Sequence, residues 1–127
     1  MRRILFFLIA GLLLSSCTHR IVRTGYHVKK SDHITCDVPI KKDIVISDTL
    51  ATKIGEIKLG ESGFSVVCSE EHAINILKGE ACAIKADLIV ITEETRPDLW
   101  SSCYRCRANF YKFIRTENKG IVENDEK

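Results

Sequence analysis

Six cysteines in 127 residues constrain this chain more than any other feature. They stand at positions 17, 36, 68, 82, 103 and 106. In an exported chain cysteines pair into disulfides by default. In a cytosolic one they more often bind metal or do redox chemistry. The cysteines therefore acquire meaning only once the compartment is known, and the N-terminus speaks to that.

Residues 1–16 read as a targeting segment. Arg2 and Arg3 form a positive start, and an apolar run follows over residues 4–14. That run is too short to span a bilayer core as a helix, which takes about 20 residues. It closes in Leu14-Ser15-Ser16-Cys17, which resembles the bacterial lipobox. The resemblance implies diacylglyceryl transfer to the Cys17 thiol, cleavage before Cys17 and acylation of the new N-terminus. More than one acyl chain anchors a protein stably, where one is marginal. Thr18 follows, not the Asp of the usual inner-membrane retention signal, so outer-membrane sorting is favoured over inner. The expected location is the bacterial cell envelope, with the membrane reached through the lipid on Cys17.

Composition narrows the classes further. The chain is 45% hydrophobic and 28% charged, with 7 Gly and 2 Pro, which excludes a disordered or collagen-like protein. The formal net charge is +2, from 19 basic and 17 acidic residues. Removing Arg2 and Arg3 with the leader cancels it, and nothing then points to nucleic acid as a partner.

Behind the leader the sequence divides into three parts. Residues 17–40 carry the lipidated cysteine and no sustained periodicity, which predicts a tether. His19, His27 and His33 lie in it at intervals that fit no single face, as solvated residues would. Residues 41–115 read as the globular domain and 116–127 as a polar tail. Within the domain, residues 44–46 are a short β-rich run. Ile57 and Leu59 alternate with Glu56 and Lys58. Gly60 and Gly63 bracket a turn, and residues 64–68 extend as strand. Ser69 suits a helix N-cap, with Glu70 and Glu71 at the positive end of the dipole. His72, in the first turn, reads as exposed. Ala73, Leu77, Ala81, Ile84 and Leu88 recur at helical spacing, with Gly79 as a weak point. Residues 87–92 are the most strand-like run, and residues 93–102, including Glu93 and Glu94, read as a polar loop. In the last strand, over residues 103–113, Tyr104, Cys106, Ala108 and Phe110 share one face. The order strand, strand, helix, strand, strand predicts an α+β domain with one main helix on a sheet of about four strands. At this size a core alone supplies little stability, so covalent staples are expected.

Lipidation of Cys17 leaves five cysteines, an odd number, and spacing alone does not choose a connectivity. Cys106 points to the face where the helix packs, which makes Cys82 its conceivable partner, although Cys82 projects off the main helical stripe. Cys36, in the tether, is the expected odd thiol. Cys103-Tyr104-Arg105-Cys106 has the Cys-x-x-Cys spacing of redox and zinc sites. It sits, however, on an alternating strand, not at a helix start, and lacks a second closely spaced pair.

Residues 44–110 resemble the RcsF-like family of outer-membrane lipoproteins, whose domain is also similar to the YbjQ family of putative heavy-metal-binding proteins. The resemblance rests on Ile54-Gly55-Glu56-Ile57, on Cys68 about a dozen residues later, on Ala86-Asp87-Leu88-Ile89-Val90 and on Cys103-Tyr104-Arg105. It implies a disulfide between Cys68 and Cys103. It also implies a binding role in stress sensing or signalling, with envelope proteins, among them outer-membrane barrel proteins, as partners.

No phosphate loop, nucleophile elbow or His-Glu-x-x-His motif is present, so no catalytic residue, metal ligand or cofactor is assigned. Trp100, in the loop before Cys103, is the candidate interface residue. The expectation is a non-enzymatic lipoprotein that binds other envelope proteins. The alternative is a periplasm-facing carrier of a metal or small ligand. A thiol oxidoreductase acting through a Cys103–Cys106 bond is a third reading.

Overall fold

The computed structural model describes residues 19–29, 36–61 and 67–115. The leader, Cys17 and the tail 116–127 lie outside the described residues, as does most of the expected strand over 64–68. Among the described residues are five strands and one helix: β1 (Arg20–Thr24), β2 (Ile40–Lys42), β3 (Ala51–Gly60), α1 (Glu70–Ala83), β4 (Leu88–Thr95) and β5 (Arg105–Phe113). The sheet order is β1-β3-β5-β4-β2, antiparallel throughout except for the parallel β2–β4 edge. This is the expected α+β architecture with one strand more than predicted.

The core lies between α1 and one face of the sheet. Ile57 and Leu59 of β3, Ile89 and Ile91 of β4, and Tyr104, Cys106, Ala108 and Phe110 at the start of and along β5 are buried against Ala73, Leu77 and Ala81 of the helix. These are the residues that the two-residue and 3.6-residue periods assign to the interior. Ser69 caps α1, its hydroxyl accepting from the His72 amide at 3.2 Å. Gly79 does not interrupt the helix. β4 runs on to Thr95, so Glu93 and Glu94 belong to a strand and not to the predicted loop. A register shift between Ile91 and Glu93 brings Glu94 opposite Cys106.

Two further differences from the sequence reading lie in the first half of the chain. The expected strand over 44–46 is not formed. The strand is β2, four residues earlier, and it ends where Asp43 takes a positive φ of 52°. Val45, a strong β-former, is 99% exposed, because propensity without a pairing partner makes no strand. The larger correction concerns the tether. Residues 20–24 are the edge strand β1, paired from Arg20 opposite Gly60 to Thr24 opposite Glu56. The folded domain therefore reaches back to His19.

Candidate functional site

Four contacts fix the segment that the sequence leaves as a tether. His19 is buried, and its Nε2 lies 2.9 Å from the Tyr104 carbonyl oxygen. Its ring stacks on His72, with centroids 5.5 Å apart. Arg23 reaches across to α1 and grips Glu80 with two donors, Nε at 2.7 Å from Oε2 and Nη2 on Oε1. Tyr26 adds its hydroxyl to the same carboxylate at 3.0 Å. The hydrogen bond to Glu80 raises the Arg23 guanidinium pKa further. Burial, then the Glu80 charge, holds the Tyr26 phenol protonated far above its ordinary range.

Glycine makes this seating feasible. Gly25, at φ 84°, turns the chain after β1 in a conformation that side chains disfavour. Tyr26 then lies over Gly55, where a Cβ would come within 2.5 Å of the ring, and meets Phe110 edge-on. A sequence signal for the clamp was present. Glu80 falls among Ala73, Ile76, Leu77 and Ala81 on the buried face of α1, and a buried carboxylate requires a partner.

Among the described residues the cysteines resolve into two bonds and one thiol. Cys68 is bonded to Cys103, the pairing that the resemblance implies. Cys82 is bonded to Cys36, with their Cα atoms 5.8 Å apart, and not to Cys106. Cys36 is therefore not the odd thiol. The sequence reading went astray because it placed Cys36 in a tether, whereas Val38 is buried in the core and brings its neighbour to the last turn of α1. Among the described residues Cys106 is the cysteine outside a disulfide. The Cys103-x-x-Cys106 spacing is thus split between a bonded cysteine and a buried thiol.

Around Cys106 lies a polar cluster at the start of α1. Lys42 donates to Glu94 at 2.7 Å and to Glu70 at 3.4 Å, and the Tyr104 hydroxyl donates to Glu94 at 2.8 Å. These bonds hold the Glu94 carboxyl below its usual range. Burial, reinforced by Glu94, pushes the Cys106 thiol up to about 11, and burial raises the Tyr104 phenol too. Near neutral pH each group rests in its least reactive form. A thiol is a poor nucleophile, and a fully ion-paired carboxylate is a poor base. The cluster joins β2, β4 and α1. Among the described residues no group of three or more His, Cys, Asp or Glu side chains is placed to hold a metal ion.

Exposed large apolar side chains gather at both ends of the sheet, with Val22 on β1 and Val45 after β2 exposed elsewhere. At one end the nine-residue loop 96–104 joins β4 to β5. Leu99 and Trp100 at its tip are 100% and 95% exposed. The loop is tightly built. The Asp98 carboxylate accepts from the amides of Trp100 and Ser101, each at 2.8 Å, and the Asp98 amide donates to the Ser101 carbonyl at 2.8 Å. Its base is fixed by the Cys68–Cys103 bond and by the Tyr104 amide on the Cys68 carbonyl. At the other end Leu50, Phe113 and Ile114 form a second exposed apolar group, joined by the Ile114 amide on the Leu50 carbonyl at 3.0 Å. No family model, curated protein or solved structure matches this chain.

Proposed function

We propose that this protein is a lipid-anchored component of the bacterial envelope, held in the membrane through Cys17, that works without catalysis by binding other envelope proteins. One observation carries the reading: a lipobox-like Leu14-Ser15-Ser16-Cys17 stands directly before a small domain closed by two disulfides. Disulfides persist where export places a chain, and the two features ask for the same compartment. The RcsF-like resemblance supports it, and Thr18 after the lipidated cysteine favours the outer membrane. The resting protonation states around Cys106 support a binding role over thiol chemistry. A metal carrier of the kind the YbjQ resemblance suggests needs reduced thiols, and four of the cysteines are in disulfides.

The apolar group Leu50, Phe113 and Ile114, at the end of the sheet away from His19, is the surface proposed for a protein partner. Crosslinking in the intact envelope, followed by capture of the full chain, is expected to recover defined proteins, and the double variant Leu50→Ser, Phe113→Ser is expected to lose them. Recovery of the same background from both would count against the reading. Incorporation of labelled fatty acid, abolished by Cys17→Ser, tests the anchor separately.

A further inference from the structure

We propose that the Leu99–Trp100 loop tip is a second membrane contact, inserted into the interfacial zone of the same bilayer that holds the acyl chains of Cys17. The inference rests on the lipid-anchor reading above and adds to it which end of the domain faces the lipid.

The argument is one of distance. A single residue, Thr18, separates Cys17 from His19, and His19 is buried with its ring hydrogen-bonded to Tyr104. Two residue steps reach at most about 7 Å. The point where lipid would join the chain is therefore within about 7 Å of His19, whose ring meets Tyr104 at the base of the loop 96–104. The tether of roughly 70 Å that an unstructured 20-residue segment would provide is not available. A domain held this closely must rest an end on the bilayer, and the end it rests on carries Leu99, Trp100 and, beside Cys68, the exposed Val67.

The chemistry of that end fits a lipid interface. An indole places an apolar ring and a polar N–H where acyl chains meet headgroups, and Trp is enriched there for that reason. The tip is pre-organised. Asp98 sets the turn and the Cys68–Cys103 bond fixes its base, so little conformational entropy is lost on insertion. Arg96, exposed at the edge of the loop with its Nε 3.8 Å from Glu94 Oε1, adds a cation beside the tip. Alone, one Trp and one Leu bind a membrane weakly. Beside an acyl anchor the second contact becomes intramolecular, and its effective concentration is high.

Trp100 is the single tryptophan of the chain, so its fluorescence reports on this site alone. The experiment uses the full acylated protein, purified from membranes and returned to vesicles of phosphatidylethanolamine and phosphatidylglycerol. Emission is expected to shift to the blue, to be quenched by nitroxide-labelled lipid and to be shielded from aqueous iodide. Acylated, vesicle-bound protein whose Trp100 stays red-emitting and open to iodide would overturn the proposal and leave the anchor standing. Shielding from iodide without quenching by labelled lipid would also overturn it, in favour of a protein covering the loop. Absence of acyl chains on Cys17, read by mass spectrometry, would remove the anchor reading and this proposal together.

Discussion

The two ends of the sheet are closed by the same device and present different surfaces. β3, ten residues long, separates them by roughly 30 Å. At the His19 end the Cys68–Cys103 bond ties the start of α1 to the β4–β5 loop. Toward the other end the Cys36–Cys82 bond ties the last turn of α1 to the chain entering β2. The first end is where the chain departs toward Cys17, and it displays a rigid two-residue apolar tip. The second displays Leu50, Phe113 and Ile114 on strand termini. The difference teaches that the disulfides do more than add stability. By fixing both ends of one helix to one sheet they set the geometry of the two surfaces relative to His19, where the chain leaves the domain toward Cys17.

The largest expected effects come from opening either bond. Each closes a loop of several tens of residues, and its loss is expected to cost about 4 kcal/mol of unfolding free energy on the loop-entropy argument. The two losses should be similar in denaturant titrations and different in place. Cys68→Ser releases the base of the Trp100 loop and should raise the mobility of that indole, read by fluorescence anisotropy. Cys36→Ser frees the β2 edge and should leave Trp100 unmoved. Equal responses of Trp100 to both would break the comparison between ends.

Next in size is the clamp on the N-terminal segment. Arg23→Ala leaves the Glu80 carboxylate buried with only Tyr26 to meet it. The expected cost is about 2 kcal/mol, less than the roughly 3–5 kcal/mol of a fully buried pair, because Arg23 keeps some water. Hydrogen exchange should show β1 amides opening while β4 and β5 stay protected. Protected β1 amides in the variant would show that backbone pairing with β3 holds the segment without the clamp.

That clamp marks where the sequence stops being legible. β3, β5 and α1 are readable because each buries one face and its apolar period shows it, and β4 because its continuous apolar run over residues 88–91 is buried on both faces. β1 is not. It is an edge strand with Ile21 only partly buried, and its pairing uses backbone groups that any residue supplies. Cys36 was misplaced for the same reason: with β1 unseen, everything before residue 41 resembled a tether. The run over 44–46 misled in the opposite direction, since β-branched residues were present and a partner strand was not. The Trp100 tip was legible as a candidate. Its position at the same end as His19 was not, because that position depends on His19 reaching Tyr104 across 85 residues of sequence.

A smaller effect comes from alkaline pH, through Cys106 at the His19 end of the core. Its thiol is shifted up to about 11 in the folded protein. In the unfolded chain it ionises in the ordinary thiol range, so between these values the unfolded state binds fewer protons and stability falls as pH rises. Below the ordinary thiol range the group contributes no pH dependence. Cys106→Ala is expected to flatten the alkaline limb of a stability–pH curve, and an unchanged limb would mean that another group causes it.

The smallest stability effect and the most local one belongs to Asp98. Its carboxylate is exposed and organises the turn through the amides of Trp100 and Ser101, which hold its pKa below the usual carboxylate range. A group lowered in the folded state adds stability above its unfolded pKa and loses it as pH falls through the folded one. The turn should therefore stay closed through the neutral range and loosen only in strong acid. Asp98→Asn, which keeps a side-chain oxygen acceptor, should preserve the turn and remove this acid sensitivity. Asp98→Ala should free the tip at every pH, raising Trp100 mobility while the unfolding midpoint barely moves. If the tip works by being pre-formed, vesicle-bound Asp98→Ala protein will show weaker quenching of Trp100 by labelled lipid than the Asn variant. Equal quenching in the two would mean that apolar character alone places the loop in the membrane and that the rigid turn serves the fold.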